Sequence, residues 1–365
     1  MAPPSRADDE RWIAWDRFVG SHRHGSFMQS AAWMRCRAAD GYAHFAILLR
    51  DERQQFVGGA VVGRWQMQDE AFYYIQDGPL LPEEPELAAA VMQALLARLE
   101  HHREADKQTV SHLRIEPRCG SEASAAFTAF GFVAPTFDDR FREPRHTRIV
   151  DLRLTEAARL TSMSAKGRYN VQLARRHGVR VVTDSSPQGL EDFIAIRGDT
   201  ATRKQLSRKS RGYFESILRE FGPRARLHFA ELDGQRLATA LTVVQDARAT
   251  YLFGGSLPVR REVMAPYLLQ HELMNQLADE GFVSYDLFGI APPGDSQHAW
   301  RSISEFKRKL GGTEEAFVPT LDHVYDAAAY ARFAQREGLA VARGSMTDAL
   351  DSLHQPGAPH HVAAR

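Results

Sequence analysis

Trp12, Trp15, Phe18 and Val19 fall on one face at helical spacing and Gly20 closes the run, which predicts an amphipathic helix. A second helix is expected over Ala31–Ala39, stopped by Asp40-Gly41. The pattern then shortens. Apolar runs at 43–49 and 56–62, joined by a charged turn, predict a hairpin. A strand at 71–75, the turn Asp77-Gly-Pro79 and a helix over about 85–102 follow, the helix with Leu87, Val91, Leu95 and Leu99 on one face. A strand at 112–115 and a short helix ending at Gly131 close this half.

The order then starts again. Strands are expected at 225–231, 237–244 and 249–253, the last ending in a Gly-Gly turn, then a helix at 263–280, a strand at 283–287 and a helix at 298–310. His228-Phe-Ala230 stands in the second series where His44-Phe-Ala46 stands in the first, roughly 180 residues earlier. Hairpin, strand, helix, strand, helix twice over predicts an internal duplication of a mixed α/β (α+β) unit. The expected division is 1–148, completed by 320–345, and 149–319. Past Tyr325 a helical segment runs to about Gly338, with another at 345–353, and 354–365 is expected to be disordered.

At 365 residues the chain exceeds the usual size of one core, which agrees with two domains. Lys+Arg and Asp+Glu are both 46, so net charge does not separate nucleic-acid binders from other proteins. Its distribution is uneven, with basic runs over 153–180 and 197–211 that suit either a solvated face or a polyanion. Cys36 and Cys119 lack any partner motif, so no disulfide framework, metal or cofactor is expected and the chain reads as cytoplasmic. The polar start has no signal-peptide core, and no apolar run approaches ~18 residues, so membrane contact would be peripheral, at the inner face.

The most informative stretch is 251–312. Tyr251-Leu-Phe-Gly-Gly-Ser256 and Tyr285-Asp-Leu-Phe-Gly-Ile290 flank one helix, and Glu305-Phe-Lys307 returns on a second. This order places a lysine beside two diverging strands. The repeated unit resembles the GNAT acyltransferase fold, whose acetyl-CoA pyrophosphate rests on a Gly-rich turn opening a helix. Here that turn carries Glu262, Met264 and Pro266, and the first copy has Pro82-Glu-Glu-Pro85, which disfavours CoA.

A duplicated unit with these sequences resembles the Fem family (FemABX) of aminoacyl-tRNA-dependent peptidyltransferases. The likeness is carried by Phe27-Met-Gln-Ser-Ala-Ala-Trp33, the turn 74–79, the basic run 168–179, and Tyr251–Ser256, 264–269, 285–290 and Phe306-Lys307…Gly311-Gly312. The short segment between Tyr213 and Leu227 resembles the insertion-free, FemX-like branch. The resemblance implies transfer of an amino acid from aminoacyl-tRNA to the stem-peptide amine of a UDP-MurNAc-linked or lipid-linked muropeptide, with no DNA partner. It implies that Lys307 stabilises the oxyanion and that Phe306 shapes its pocket. It also implies that Arg203 and one of Arg35 and Arg37 hold the acceptor's phosphates, with Tyr213, Tyr251 and Tyr267 lining the acceptor groove. Gly254, Gly255 and Gly289 are candidates for close approach of the donor ester, and Lys166 and Arg168 for tRNA phosphates. No general base is assigned; Asp77, before the glycine-proline turn, is retained as an acceptor-side candidate. A tRNA-dependent transferase acting on another amine, a CoA-dependent N-acyltransferase and a non-catalytic binding protein stay open as alternatives.

Overall fold

In a computed structural model of the chain, residues 9–67, 69–137, 142–204 and 208–342 are described. The expected helix at 345–353 and the tail at 354–365 lie outside them. The chain divides into two compact units, Met1–Glu143 with Val318–Arg365, and Pro144–Phe317.

The first unit begins with α1 (Glu10–Ser21), which buries Trp12, Trp15 and Val19, and α2 (Ala31–Ala39), whose first turn is capped by the Ser30 hydroxyl. β1 (Ala43–Arg50), β2 (Phe56–Met67) and β3 (Glu70–Ile75) form an antiparallel meander. Glu84 caps α3 (Pro85–Glu104), whose face of Val91, Met92, Leu95 and Leu99 is buried, and the chain returns as β4 (Thr109–Ile115) parallel to β3. The short α4 (Ser124–Thr128) buries Phe127.

The second unit opens with β5 (His146–Asp151), α5 (Glu156–Ser162), α6 (Ala165–Arg176), β6 (Arg180–Thr183), α7 (Pro187–Lys204) and α8 (Arg211–Phe221). The repeated series follows as β7 (Ala225–Leu232), β8 (Gln235–Gln245), β9 (Arg248–Ser256), α9 (Ala265–Asp279) and β10 (Ser284–Asp286), then α10 (Arg301–Arg308) and β11 (Thr313–Ala316). Its sheet order is β11-β5-β10-β9-β8-β7-β6. The chain then rejoins the first unit as β12 (Leu321–Val324), antiparallel to β4, and α11 (Ala327–Ala342). β5 spans the expected 148/149 division and pairs with β10 and β11, so the units part before it.

The duplication is visible as topology. β1-β2-β3-α3-β4 and β7-β8-β9-α9-β10 share one pairing scheme, two antiparallel pairs and then a parallel pair across a helix. His44 and His228 occupy the first strand of each series, both buried, and burial pushes each imidazole down to about 3. The copies differ where the parallel strands end. β3 and β4 pair through Ile75 and Ile115, at the end of both strands. β9 and β10 pair only over 248–250 and 284–286, while β9 continues along β8 to Ser256. Beyond Asp286 the chain stays with β5 instead: the Leu287 and Ile290 N–H groups donate to Arg148 and His146 carbonyls at 2.8 and 2.9 Å. This splays β9 from β10. The expected Gly-Gly turn is therefore corrected: Gly254 and Gly255 are strand residues paired with Ala240 and Thr239.

Candidate active site

Lys307 reaches the splay from α10. Its ammonium donates to the carbonyls of Gly289 at 2.7 Å and Phe288 at 3.0 Å, and lies 5.8 Å from the centre of the Tyr251 ring on β9. The residue is 7% exposed. Burial pushes its ammonium down to about 7, opposed by the negative charge of Asp286 at the end of β10. A cation so placed can move toward a developing oxyanion with little reorganisation of its surroundings, which is where fixed donors lower barriers most. Phe306, one residue earlier, packs edge-on against Tyr267 of α9 with ring centroids 5.1 Å apart. Burial pushes the Tyr251 phenol up to about 12, against the pull of Arg197, so it stays protonated.

The loop that presents the two carbonyls is fastened to α10 at two further points, both at Ala291. The buried Ser304 hydroxyl donates to the Trp300 carbonyl and accepts the Ala291 N–H at 2.7 Å, and Arg308 donates to the Ala291 carbonyl at 3.0 Å. Asp286 accepts the Phe288 N–H at 2.7 Å and the Thr147 hydroxyl. The C-cap of α10 meets α6: a Cβ added at Gly167 would stand 2.2 Å from the Lys309 carbonyl oxygen. Gly311 and Gly312, at φ 89° and 77°, turn the chain from α10 into β11, and their carbonyls accept from Arg148. Sequence reasoning missed Asp286, Thr147, Ser304, Arg308 and Gly167. Its one available signal was Ser304 and Arg308 at i−3 and i+1 of Lys307.

The structure thus brings Lys307, Phe306, Tyr251 and Tyr267 together in the second unit. Arg203 lies at the end of α7, where it donates to Asp199 and to the Ser256 carbonyl that ends β9. Tyr213 of α8 is buried against Phe214 and Phe253, so it serves the packing behind β9. The three glycines are filled by the protein itself. A Cβ would meet the Tyr251 phenol at Gly254, Thr200 and the α7 backbone at Gly255, and Pro144 and Trp300 at Gly289. Their lack of a side chain therefore serves internal packing rather than an open approach for a donor. Lys166 is exposed at the start of α6, whereas Arg168 is turned back onto the carbonyls of Thr161 and Met163.

In the first unit, Arg37 is fully buried, its guanidinium 4.1 Å from the Tyr42 ring centre and 5.5 Å from that of Trp65. That position corrects the pairing of Arg35 with Arg37 as equal phosphate candidates, because Arg37 is a core cation and Arg35 is the half-buried one. Asp77 is also buried. It accepts the Ser26 hydroxyl at 2.6 Å and faces Arg118 at 3.4 Å, which ties the glycine-proline turn to the segment before α2. Among the described residues no group of acidic, histidine or cysteine side chains has the arrangement of a metal site, and no helix is long and apolar enough to cross a membrane.

The FemAB family matches residues 13–236 and 233–334. A UDP-N-acetylmuramoylpentapeptide-lysine N(6)-alanyltransferase of Weissella viridescens is 25% identical over 52% of this chain and 56% of its own length. A lipid II:glycine glycyltransferase of Staphylococcus saprophyticus is 21% identical over 87% of this chain and 92% of its own. That of Staphylococcus aureus is 26% identical over 60% and 53%. The chain thus spans about half the length of two of these three relatives. Among solved structures, FemX superposes with a TM-score of 0.79 at 19% identity, over 88% of this chain and 97% of that one. A tandem GNAT protein from the clavulanic acid biosynthesis pathway superposes at 0.50, with 14% identity, over 88% and 97%. These likenesses establish the fold.

Proposed function

We propose, given that this chain belongs to the FemAB family, that it transfers an amino acid from aminoacyl-tRNA to the stem-peptide amine of a peptidoglycan precursor. The relatives named for alanyl and glycyl transfer support the acceptor class. The observation that carries the chemistry is Lys307, a nearly buried ammonium held by two backbone carbonyls in the splay between β9 and β10. In the proposed reaction the acceptor amine attacks the ester carbonyl carbon and a C–N bond forms. The oxygen becomes an oxyanion, which Lys307 stabilises. The C–O bond to the ribose then breaks, and the amine proton leaves to the departing ribose oxygen, directly or through water, so no side-chain base is required. Phe306 and Tyr267 wall the site, and Arg203 and Arg35 are the acceptor-phosphate candidates. The exposed Lys166 is the tRNA candidate on α6.

The CoA reading is disfavoured by the start of α9. Pro266 has no N–H there, the Tyr267 N–H is spent on the Met264 carbonyl at 3.0 Å, and Met264 itself sits at φ 53°. A pyrophosphate needs several free N–H groups at such a terminus. The deciding experiment incubates the protein with a labelled aminoacyl-tRNA pool, UDP-MurNAc-pentapeptide and, separately, acetyl-CoA. Label reaching the muropeptide supports the proposal; acetyl-CoA consumption with no transfer from tRNA overturns it.

A further inference from the structure

We infer that Asp286 is the positioning residue of this site: it folds the turn that presents the Phe288 and Gly289 carbonyls to Lys307, and through that turn sets a negative charge that favours the ammonium against burial. The first part rests on backbone geometry. Phe288 sits at φ 59°, a region a bulky residue seldom occupies, and it is the residue whose carbonyl must point at Lys307. Asp286 accepts the Phe288 N–H two residues on at 2.7 Å, the hydrogen bond that builds an Asx turn. Thr147 of the neighbouring β5 donates its hydroxyl to the same oxygen and fixes the carboxylate.

The second part rests on charge. Asp286 lies one residue-length of backbone from Lys307, through the Phe288 N–H it accepts and the Phe288 carbonyl that Lys307 bonds, and the protonated Tyr251 ring of β9 lies 5.8 Å from the ammonium. Arg308, next on α10, is engaged by Ala291 and Glu314, and Arg148 of β5 by Gly311, Gly312 and Glu314. Burial works against the ammonium and Asp286 works for it. Asp286 itself touches no reacting atom. The inference rests on the role proposed for Lys307, so its test reads the lysine directly, without substrate.

In protein carrying [13C]lysine, the Lys307 13Cε resonance, assigned with Lys307→Arg, is titrated against pH. Asp286→Asn keeps the oxygen acceptor but removes the charge, and its Lys307 midpoint is expected at lower pH by about half a unit or more. An unmoved midpoint overturns the charge role. Asp286→Ala is expected to displace the 13Cε resonance of protonated Lys307 from its position in Asp286→Asn, and Phe288→Gly in that background to return it part of the way, because glycine adopts positive φ unaided. Absence of that return in a folded double variant overturns the turn role. Should Asp286→Asn unfold, the same double variant carries the titration, since it too lacks the charge. Wild-type protein that titrates as described yet transfers nothing would refute the proposed function and leave this inference standing.

Discussion

The Lys307 ammonium lies 2.7 Å from the carbonyl oxygen of Gly289, at the point where β10 has left β9. The bond joins the end of α10 to the loop that follows β10, and the parallel strands stop pairing just before it. A lysine buried to this degree is costly unless its N–H groups find acceptors, and here two carbonyls supply them.

That cost has a pH signature. The ordinary lysine value of 10.5 applies to the unfolded chain, while the folded value is about 7. Between the two, the unfolded chain binds more protons, so folding stability rises as pH increases through this window. Urea unfolding of wild type against Lys307→Met is expected to show wild type gaining about 2 kcal/mol relative to the variant between pH 7 and 9. Parallel curves would show that Lys307 titrates normally.

His44 and His228 act in the opposite range. Each has a folded value near 3, below the unfolded value of 6.5, so the stability they hold is complete above 6.5 and is lost as pH falls toward 3. The His228 ring nitrogens engage the hydroxyls of Thr183 and Thr242 at 2.8 and 2.9 Å, an arrangement suited to a neutral ring. Lowering pH from 7 to 5 is expected to cost roughly 2 kcal/mol through His228, a loss that His228→Gln abolishes in denaturant titrations.

Gly167 tests how far α10 can move. Alanine there would place its Cβ 2.2 Å from the Lys309 carbonyl oxygen, a backbone atom that can yield only by shifting α10. Gly167→Ala should lower stability by about 1–3 kcal/mol despite the better helix propensity of alanine, and should slow transfer as well. At Gly198 of α7 an added Cβ would meet no atom within 4 Å, so Gly198→Ala serves as the control. That change should stabilise by up to about 1 kcal/mol.

The two arginines of α2 should separate cleanly. Arg37→Ala removes a buried guanidinium from among Trp33, Tyr42 and Trp65 and is expected to destabilise by about 2–4 kcal/mol. Arg35→Ala should leave the melting transition nearly unchanged, within about 0.5 kcal/mol, and raise KM for a UDP-linked acceptor. Equal melting of the two variants would contradict the core role of Arg37.

The repeated series was legible because its elements carry their own patterns: Val91, Leu95 and Leu99 line one face of α3, β8 holds a long mostly apolar run, and β9 a shorter one around Tyr251-Leu-Phe253. β5, β6, β11 and β12 were not, since they are four to six residues long and owe their form to the partners beside them. α7 and α8 were not predicted either: only the end of α7 and the first residue of α8 fall in a run read for basic charge. At the candidate site, motif resemblance names Lys307 and Phe306. It does not name Asp286, Thr147 or Gly167, because a turn-building carboxylate and a helix–helix contact depend on partners 139 residues away in one case and 142 in the other. The glycines at 254, 255 and 289 were visible as glycines, but sequence could not show what fills the space beside them.

In the proposed reaction Lys307 stabilises the oxyanion of aminoacyl transfer. The most direct test of this role is the single-turnover rate of amino-acid transfer from charged tRNA to UDP-MurNAc-pentapeptide, measured for wild type and Lys307→Met with the affinity for the acceptor measured alongside. A fall of roughly 10²–10³ at unchanged affinity is the predicted result. A Lys307→Met rate within a few-fold of wild type would contradict it.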